Sequence, residues 1–187
     1  MKFLIFILIF FYSYTGNIYA KLFDASEFKL ENGLKVIVVE NDRAPIVSQM
    51  IWYNVGSVDE EYGKSGLAHF LEHLMFKGTK EFPNGYFSKY ISKNGGSENA
   101  FTSFDYTAYY QIIPSDKVEK IIELESDRMK NLTLTKEQVE TEKKVILEER
   151  YQRIDSRPSA ILDESMRKKI GRASVGKECR SRWSPYH

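Results

Sequence analysis

From residue 27 onward, hydrophobic positions first alternate as they do in strands. "FKLENGLKVIVVEND" holds two β-prone runs joined by Asn32-Gly33, a strong hairpin signal, which predicts strands near 27 to 31 and 34 to 40. "PIVSQMIWYNVGSVDE" is rich in β-branched and aromatic residues and predicts a third strand from about Ile46 to Val55. The period then lengthens in "SGLAHFLEHLMFKGT", where Leu67, Phe70, Leu71 and Leu74 recur at helical spacing and Gly78 supplies a stop. A short helix is predicted around Tyr86 to Lys93, followed by two strands in "SENAFTSFDYTAYYQIIP" that close at Pro114. Two longer helices follow, from Asp116 to about Asn131 and from Lys136 to about Arg153, with Thr135 as N-cap of the second. Strands followed by helices predict an α+β layer rather than a doubly wound parallel sheet.

The two ends of the chain depart from this pattern. Residues 1–20, "MKFLIFILIFFYSYTGNIYA", place Lys2 before an apolar run from Phe3 to Tyr12 and end on Ala20, the layout of a signal peptide cleaved after Ala20. The run is short for a bilayer span of about 20 residues, so a permanent membrane span is not expected, an uncleaved anchor being the alternative. The rest of the chain is then exported, periplasmic or secreted. From Gly171, "GRASVGKECRSRWSPYH" loses periodicity and predicts an unrelated or disordered tail over residues 171–187, leaving 21–170 as one folded domain.

Charge excludes some functions. Lys and Arg (27) nearly cancel Asp and Glu (26), and the signs are mixed along the chain, so nothing draws it to nucleic acid. With Cys179 the one cysteine, no internal disulfide can form, and stability must come from the core and a metal.

The candidate chemistry lies in "HFLEH", residues 69–73. On a helix turning about 100° per residue, His69 at 0° puts His73 at about 40° and Glu72 at about −60°, while the apolar positions fall between about 100° and 200°. The motif is therefore expected to face away from the core on which its helix packs. Imidazoles at i and i+4 can share one zinc ion, and Glu72 beside them is placed to take a proton from an activated water, the order of an inverted zincin motif. A catalytic zinc needs a third protein ligand. His187 lies in the tail, which favours a carboxylate. In "TKEQVETEKKVILEERYQR", Glu142 and Glu149 fall within the stripe formed by Val139, Val145 and Ile146, whereas Glu140 and Glu148 fall toward the polar side. A carboxylate on an apolar face needs a partner, and a divalent cation is one. Glu149 is the candidate third ligand, and Glu142 a catalytic candidate that supports the ligands or handles a proton.

Together with "NGLKVIVVEND", "VGSVDE" and "NAFTSFDYTAYY", these motifs resemble, in order, those of the pitrilysin, insulysin and mitochondrial processing peptidase family of zinc metallopeptidases. The resemblance runs from about residue 27 to 167. It implies a half-domain of the processing-peptidase type with an antiparallel sheet packed against helices. It also implies a metalloendopeptidase with one Zn2+ per chain on His69, His73 and Glu149, Glu72 as general base, and Glu142 as the family's second glutamate. Peptide substrate is expected to add to a sheet edge, which makes Asn99, Ala100, Phe101 and Thr102 candidate substrate contacts. Phe101, Tyr106, Tyr109 and Tyr110 are expected to be core and sheet aromatics. The likeness fades after "SRPSAILDESMRKK", where the family carries a further helix and strands and then a second domain. The expectation is a truncated peptidase domain, whose missing half a second homologous subunit would supply. The alternative function is a non-catalytic or truncated homologue that binds peptides or a partner and is inactive alone.

Overall fold

The computed structural model describes residues 24–173, with side chains described as far as Arg167. These residues fall into two units, one ending at Ala44 and one starting at Pro45. The proposed signal peptide, Cys179 and His187 lie outside the described residues, and no described helix is long and apolar enough to cross a membrane.

The first unit is a hairpin of β1 (Ala25–Lys29) and β2 (Lys35–Val39), antiparallel with Ala25 opposite Val39 and Lys29 opposite Lys35. Asn32-Gly33 lies at its turn, but the loop has three residues, Glu31 to Gly33, rather than two. Gly33 N donates to the Leu30 carbonyl at 2.9 Å and Leu30 N to the Leu34 carbonyl at 2.9 Å, while Asn32 Oδ1 accepts from Leu34 N at 3.0 Å. That geometry trims both strands relative to the sequence expectation.

The second unit is built on β3 (Ile46–Tyr53), β4 (Ser97–Thr102) and β5 (Thr107–Pro114), antiparallel throughout in the order β3-β5-β4. Tyr53 and Thr102 both stand opposite Thr107. Central β5 buries Thr107, Ala108, Tyr109, Gln111 and Ile113 but leaves Ile112 exposed. β3 stops at Tyr53, short of the expected Val55, because the chain turns into a 3-10 helix (Ser57–Asp59). Ser57 N and Val58 N there donate to the Ser103 and Phe104 carbonyls at 3.1 and 3.0 Å. Gly56 makes this approach possible, since a Cβ would stand 2.3 Å from the Phe104 oxygen.

Among the described residues, four helices follow the expected pattern, α1 (Leu67–Leu74), α2 (Tyr86–Lys93), α3 (Val118–Asn131) and α4 (Lys136–Arg150), and a fifth, α5 (Pro158–Ala173), is one that the sequence reading did not assign. Thr135 caps α4 reciprocally with Gln138, its Oγ1 accepting from Gln138 N at 3.2 Å while Gln138 Oε1 accepts from Thr135 N at 2.8 Å. α4 was expected to reach Arg153 but ends at Arg150 in a π turn (Tyr151–Asp155). α5 opens on Pro158, whose missing N–H costs nothing there, and it runs past Gly171 to Ala173, so residues 171–173 are helical.

The core is the cluster of Ile91, Ile113, Ile121 and Leu124, with Phe82, Phe87 and Tyr90 packed around it. Beside it Arg128 and Glu125, 3% and 1% exposed, form a buried ion pair that also engages Gln111 Nε2, 2.7 Å from Glu125. The Arg128 guanidinium lies 4.6 Å from the Tyr109 ring and 4.9 Å from that of Phe87. Buried charges persist where they are paired and hydrogen-bonded, as these are.

Candidate metal centre

α1 is fixed at both ends. At its start Glu60, directly after the 3-10 helix, reaches forward, its Oε2 accepting from Gly66 N at 2.9 Å and its Oε1 from Ala68 N at 2.8 Å. A carboxylate there satisfies free N–H groups and complements the positive end of the helix. At its end the chain tightens into a 3-10 turn (Met75–Lys77) and stops at Gly78, where φ is +86° and a Cβ would meet the Phe82 oxygen at 2.5 Å. The Gly78 carbonyl accepts from Thr133 N at 3.2 Å, and Thr79 bridges to Leu132. These bonds tie the end of α1 to the segment that leads into α4, so the acids of α4 face the histidines of α1.

The resulting packing corrects one sequence expectation. Glu72 is buried at 8% exposure, while Leu67 and Leu71 of the apolar stripe are 52% and 49% exposed among the described residues. Only Leu74 of that stripe is fully buried, with Phe70 half-buried. The motif does not face away from the packed side; its polar face meets α4 and β4, because the site is made by bringing those elements onto it. On α4 the stripe holds in part: Glu142 is buried and Val139, Ile146 and Glu149 are half-buried, whereas Val145 is exposed.

His69 Nε2 and His73 Nε2 stand 3.3 Å apart, and Glu149 Oε2 lies 3.8 Å from the first and 3.5 Å from the second. Ligands at about 2.1 Å in a tetrahedron are separated by about 3.4 Å, so this triangle has the size that a zinc ion requires. The donor set, two imidazoles and one carboxylate, also suits that ion. The remaining oxygen of Glu149 is held by Arg153 at 2.9 Å, a contact supplied by the π turn. Burial is the largest influence on His69 and lowers its pKa, which the Glu72 and Glu149 carboxylates only partly oppose. His69 is thereby kept neutral, the form that binds a metal.

Glu142 stands behind His73 rather than among the ligand oxygens: its Oε1 lies 2.9 Å from His73 Nδ1, and its Oε2 pairs with Lys77. Burial pushes its pKa up, but hydrogen bonds from Lys77 and His73 outweigh this and hold the carboxyl below its usual range. Glu72 Oε2 accepts from Thr102 Oγ1 at 2.5 Å; Thr102 lies 3.3 Å from Thr107 Oγ1, which donates to the Val55 carbonyl at 2.9 Å. A groove of about 490 Å³ opens beside His69, walled by Leu67, Phe70, Ile146 and Leu147 with Lys143 and Arg150.

β4 is an edge strand of its sheet, as strand addition requires. Of its four candidate residues, Asn99 and Phe101 are exposed on one face, and Ala100 and Thr102 point to the other, where Thr102 reaches Glu72. The aromatics divide likewise. Tyr109 is buried against Tyr53 and Phe76, and Phe101, Tyr106 and Tyr110 gather with Trp52 on the open face. Sequence reasoning missed Lys77, Glu60 and the side-chain role of Thr102. Lys77 carried a readable signal, a cation one turn beyond His73 on the same face; Thr102 carried none, since strand register alone brings it to Glu72.

The model of the insulinase family of peptidases, M16, matches residues 35–179. The chain belongs to this family. Among M16 relatives it is similar to the zinc protease PqqE of Helicobacter pylori, 40% identical over 134 residues that make up 71% of this chain and 30% of that protein. It is 35% identical over 134 residues to cytochrome b-c1 complex subunit 1 of Rattus norvegicus, covering 72% of this chain and 28% of that one. The crystal structure of a protease from Helicobacter pylori matches with a TM-score of 0.75 and 30% identity over 87% of this chain and 44% of its own. The chain thus spans about a third of the length of these curated M16 relatives.

Proposed function

We propose that this chain carries the zinc site and general base of a metalloendopeptidase. The observation that supports it most is the triangle of His69 Nε2, His73 Nε2 and Glu149 Oε2 beside a buried Glu72. Zinc bound there would supply a Lewis acid that lowers the pKa of a water toward about 7 and polarises the scissile carbonyl. Glu72 takes the proton from that water and returns it to the leaving amine, with Thr102 holding one of its oxygens in place. Glu142 holds His73 through Nδ1, which leaves Nε2 facing His69 and Glu149, the residues that with it would hold the ion. A peptide lies along the edge of β4, where Asn99 to Thr102 pair with its backbone, and one of its side chains enters the apolar groove beside His69. The leader-like composition of residues 1–20 supports export to the periplasm or exterior.

A second reading is that the chain works as a partner subunit with little activity alone. The similarity to a subunit of a multi-subunit complex favours it, as does the apolar face of the three-stranded sheet, where Ile46, Trp52 and Met50 are 56%, 52% and 40% exposed. Elemental analysis of the purified full chain and of Glu149→Gln, each also assayed on a quenched fluorescent peptide, tests both readings. The first expects about one zinc per chain, lost or much weakened in the variant, together with cleavage. Zinc without cleavage favours the second reading, and a folded chain that takes up no zinc overturns the first.

A further inference from the structure

Lys77 has no place in the chemistry described so far, yet its side chain is only 20% exposed and its ammonium pairs with Glu142 Oε2. The other oxygen of the same carboxylate faces His73 Nδ1 at 2.9 Å. Glu142 is itself buried, at 7% exposure. A buried carboxylate on a rotatable side chain can present either oxygen in many planes, and here one oxygen is pinned from each side. An acceptor at Nδ1 requires the ring to carry its proton there, which leaves the Nε2 lone pair bare and directed at His69 Nε2 and Glu149 Oε2.

We propose that Lys77 is a positioning residue for the metal centre: by clamping Glu142 Oε2 it aims Oε1 at His73 Nδ1 and thereby sets the tautomer and orientation of His73. This rests on the zinc-site reading above. The position of Lys77 supports it. The lysine ends the 3-10 turn that continues α1 and stands directly before Gly78, whose contacts fix where the turn stops. Its backbone is therefore held in register with His73 one turn earlier, and its ammonium spans from the ligand helix to α4.

The test uses the full chain, metal-free and with zinc. The tautomer of His73 is read from imidazole 15N chemical shifts of the metal-free protein, and zinc affinity from competition with a chromophoric chelator. Expected are an Nδ1–H tautomer at His73 in the parent chain, a mixed tautomer in Lys77→Met, zinc binding weakened about ten- to a hundredfold in that variant, and recovery of both in Lys77→Arg. The double variant Lys77→Met with Glu142→Gln should bind zinc no more weakly than Glu142→Gln alone, because the lysine acts through the glutamate. An unchanged tautomer and affinity in Lys77→Met, or additive losses in the double variant, would overturn the proposal. If Lys77→Met does not fold, Lys77→Gln is measured in its place and judged by the same two readouts. A parent chain that binds no zinc defeats the zinc-site reading, while the tautomer measurement still decides the role of Lys77.

Discussion

Glu72 is 8% exposed, with one oxygen held by the Thr102 hydroxyl and its charge acting on the His69 imidazole, and that setting defines what its neighbours must do. Removing its carboxylate as Glu72→Gln should leave zinc content unchanged and lower peptide cleavage by about 10²- to 10⁴-fold, checked by elemental analysis beside a turnover assay. Thr102 holds the carboxylate through one hydroxyl, so Thr102→Val should reduce kcat by about ten- to a hundredfold with little change in KM, and Thr102→Ser should restore it. A loss confined to KM would return Thr102 to the role of substrate contact. Away from the site, burial raises the Tyr109 pKa above its ordinary value, with Arg128 opposing, and burial raises that of Tyr53 as well. A tyrosine that holds its proton longer when folded contributes stability that is fully present below about pH 10 and is lost as pH rises through its raised folded value. Chemical denaturation as a function of pH should therefore show stability falling from about pH 10 upward, with a shallower slope in Tyr109→Phe.

Among the elements, α1 shows most clearly how local sequence and distant contacts divide the work. Its helical period, the two histidines on one face and its stop at Gly78 are legible in fifteen residues, because a turn of 3.6 residues is a local property. Its orientation is not legible, since amphipathicity indicates which face is apolar but not which face the rest of the chain covers. Leu67 and Leu71 remain exposed while Glu72 is buried. The Glu60 carboxylate that caps this helix comes from outside it, so Glu60→Ala should lower the unfolding free energy by about 1 kcal/mol, measured by urea titration of the metal-free chain. The same logic applies to α4. Thr135 announced its N-cap, whereas the π turn that ends the helix early and delivers Arg153 to Glu149 had no sequence signal.

At the scale of the whole molecule, the second unit has one well-buried face and one open one. Ile91, Ile113, Ile121 and Leu124 close the core between β5, α2 and α3, but Trp52, Ile46 and Met50 stay more than a third exposed on the opposite side of the sheet. Apolar patches of this kind mark surfaces that associate. Analytical ultracentrifugation of the full chain should show self-association that Trp52→Lys reduces, and a monodisperse parent chain would show that the face tolerates water.

The amino-acid sequence by itself determined the five strands and the helices up to α4, though not α5, together with the pairing of His69 with His73 and the two acids on the apolar stripe of α4, since each follows from spacing within one element. Tertiary structure added the contacts: Glu149, the candidate third ligand, lies beside both histidines, Glu142 stands behind His73, Lys77 meets Glu142, Thr102 meets Glu72, and the polar face of α1 is the packed one. These depend on where segments 65 to 80 residues apart meet, and on strand register, which packing of the whole unit selects and no local period encodes.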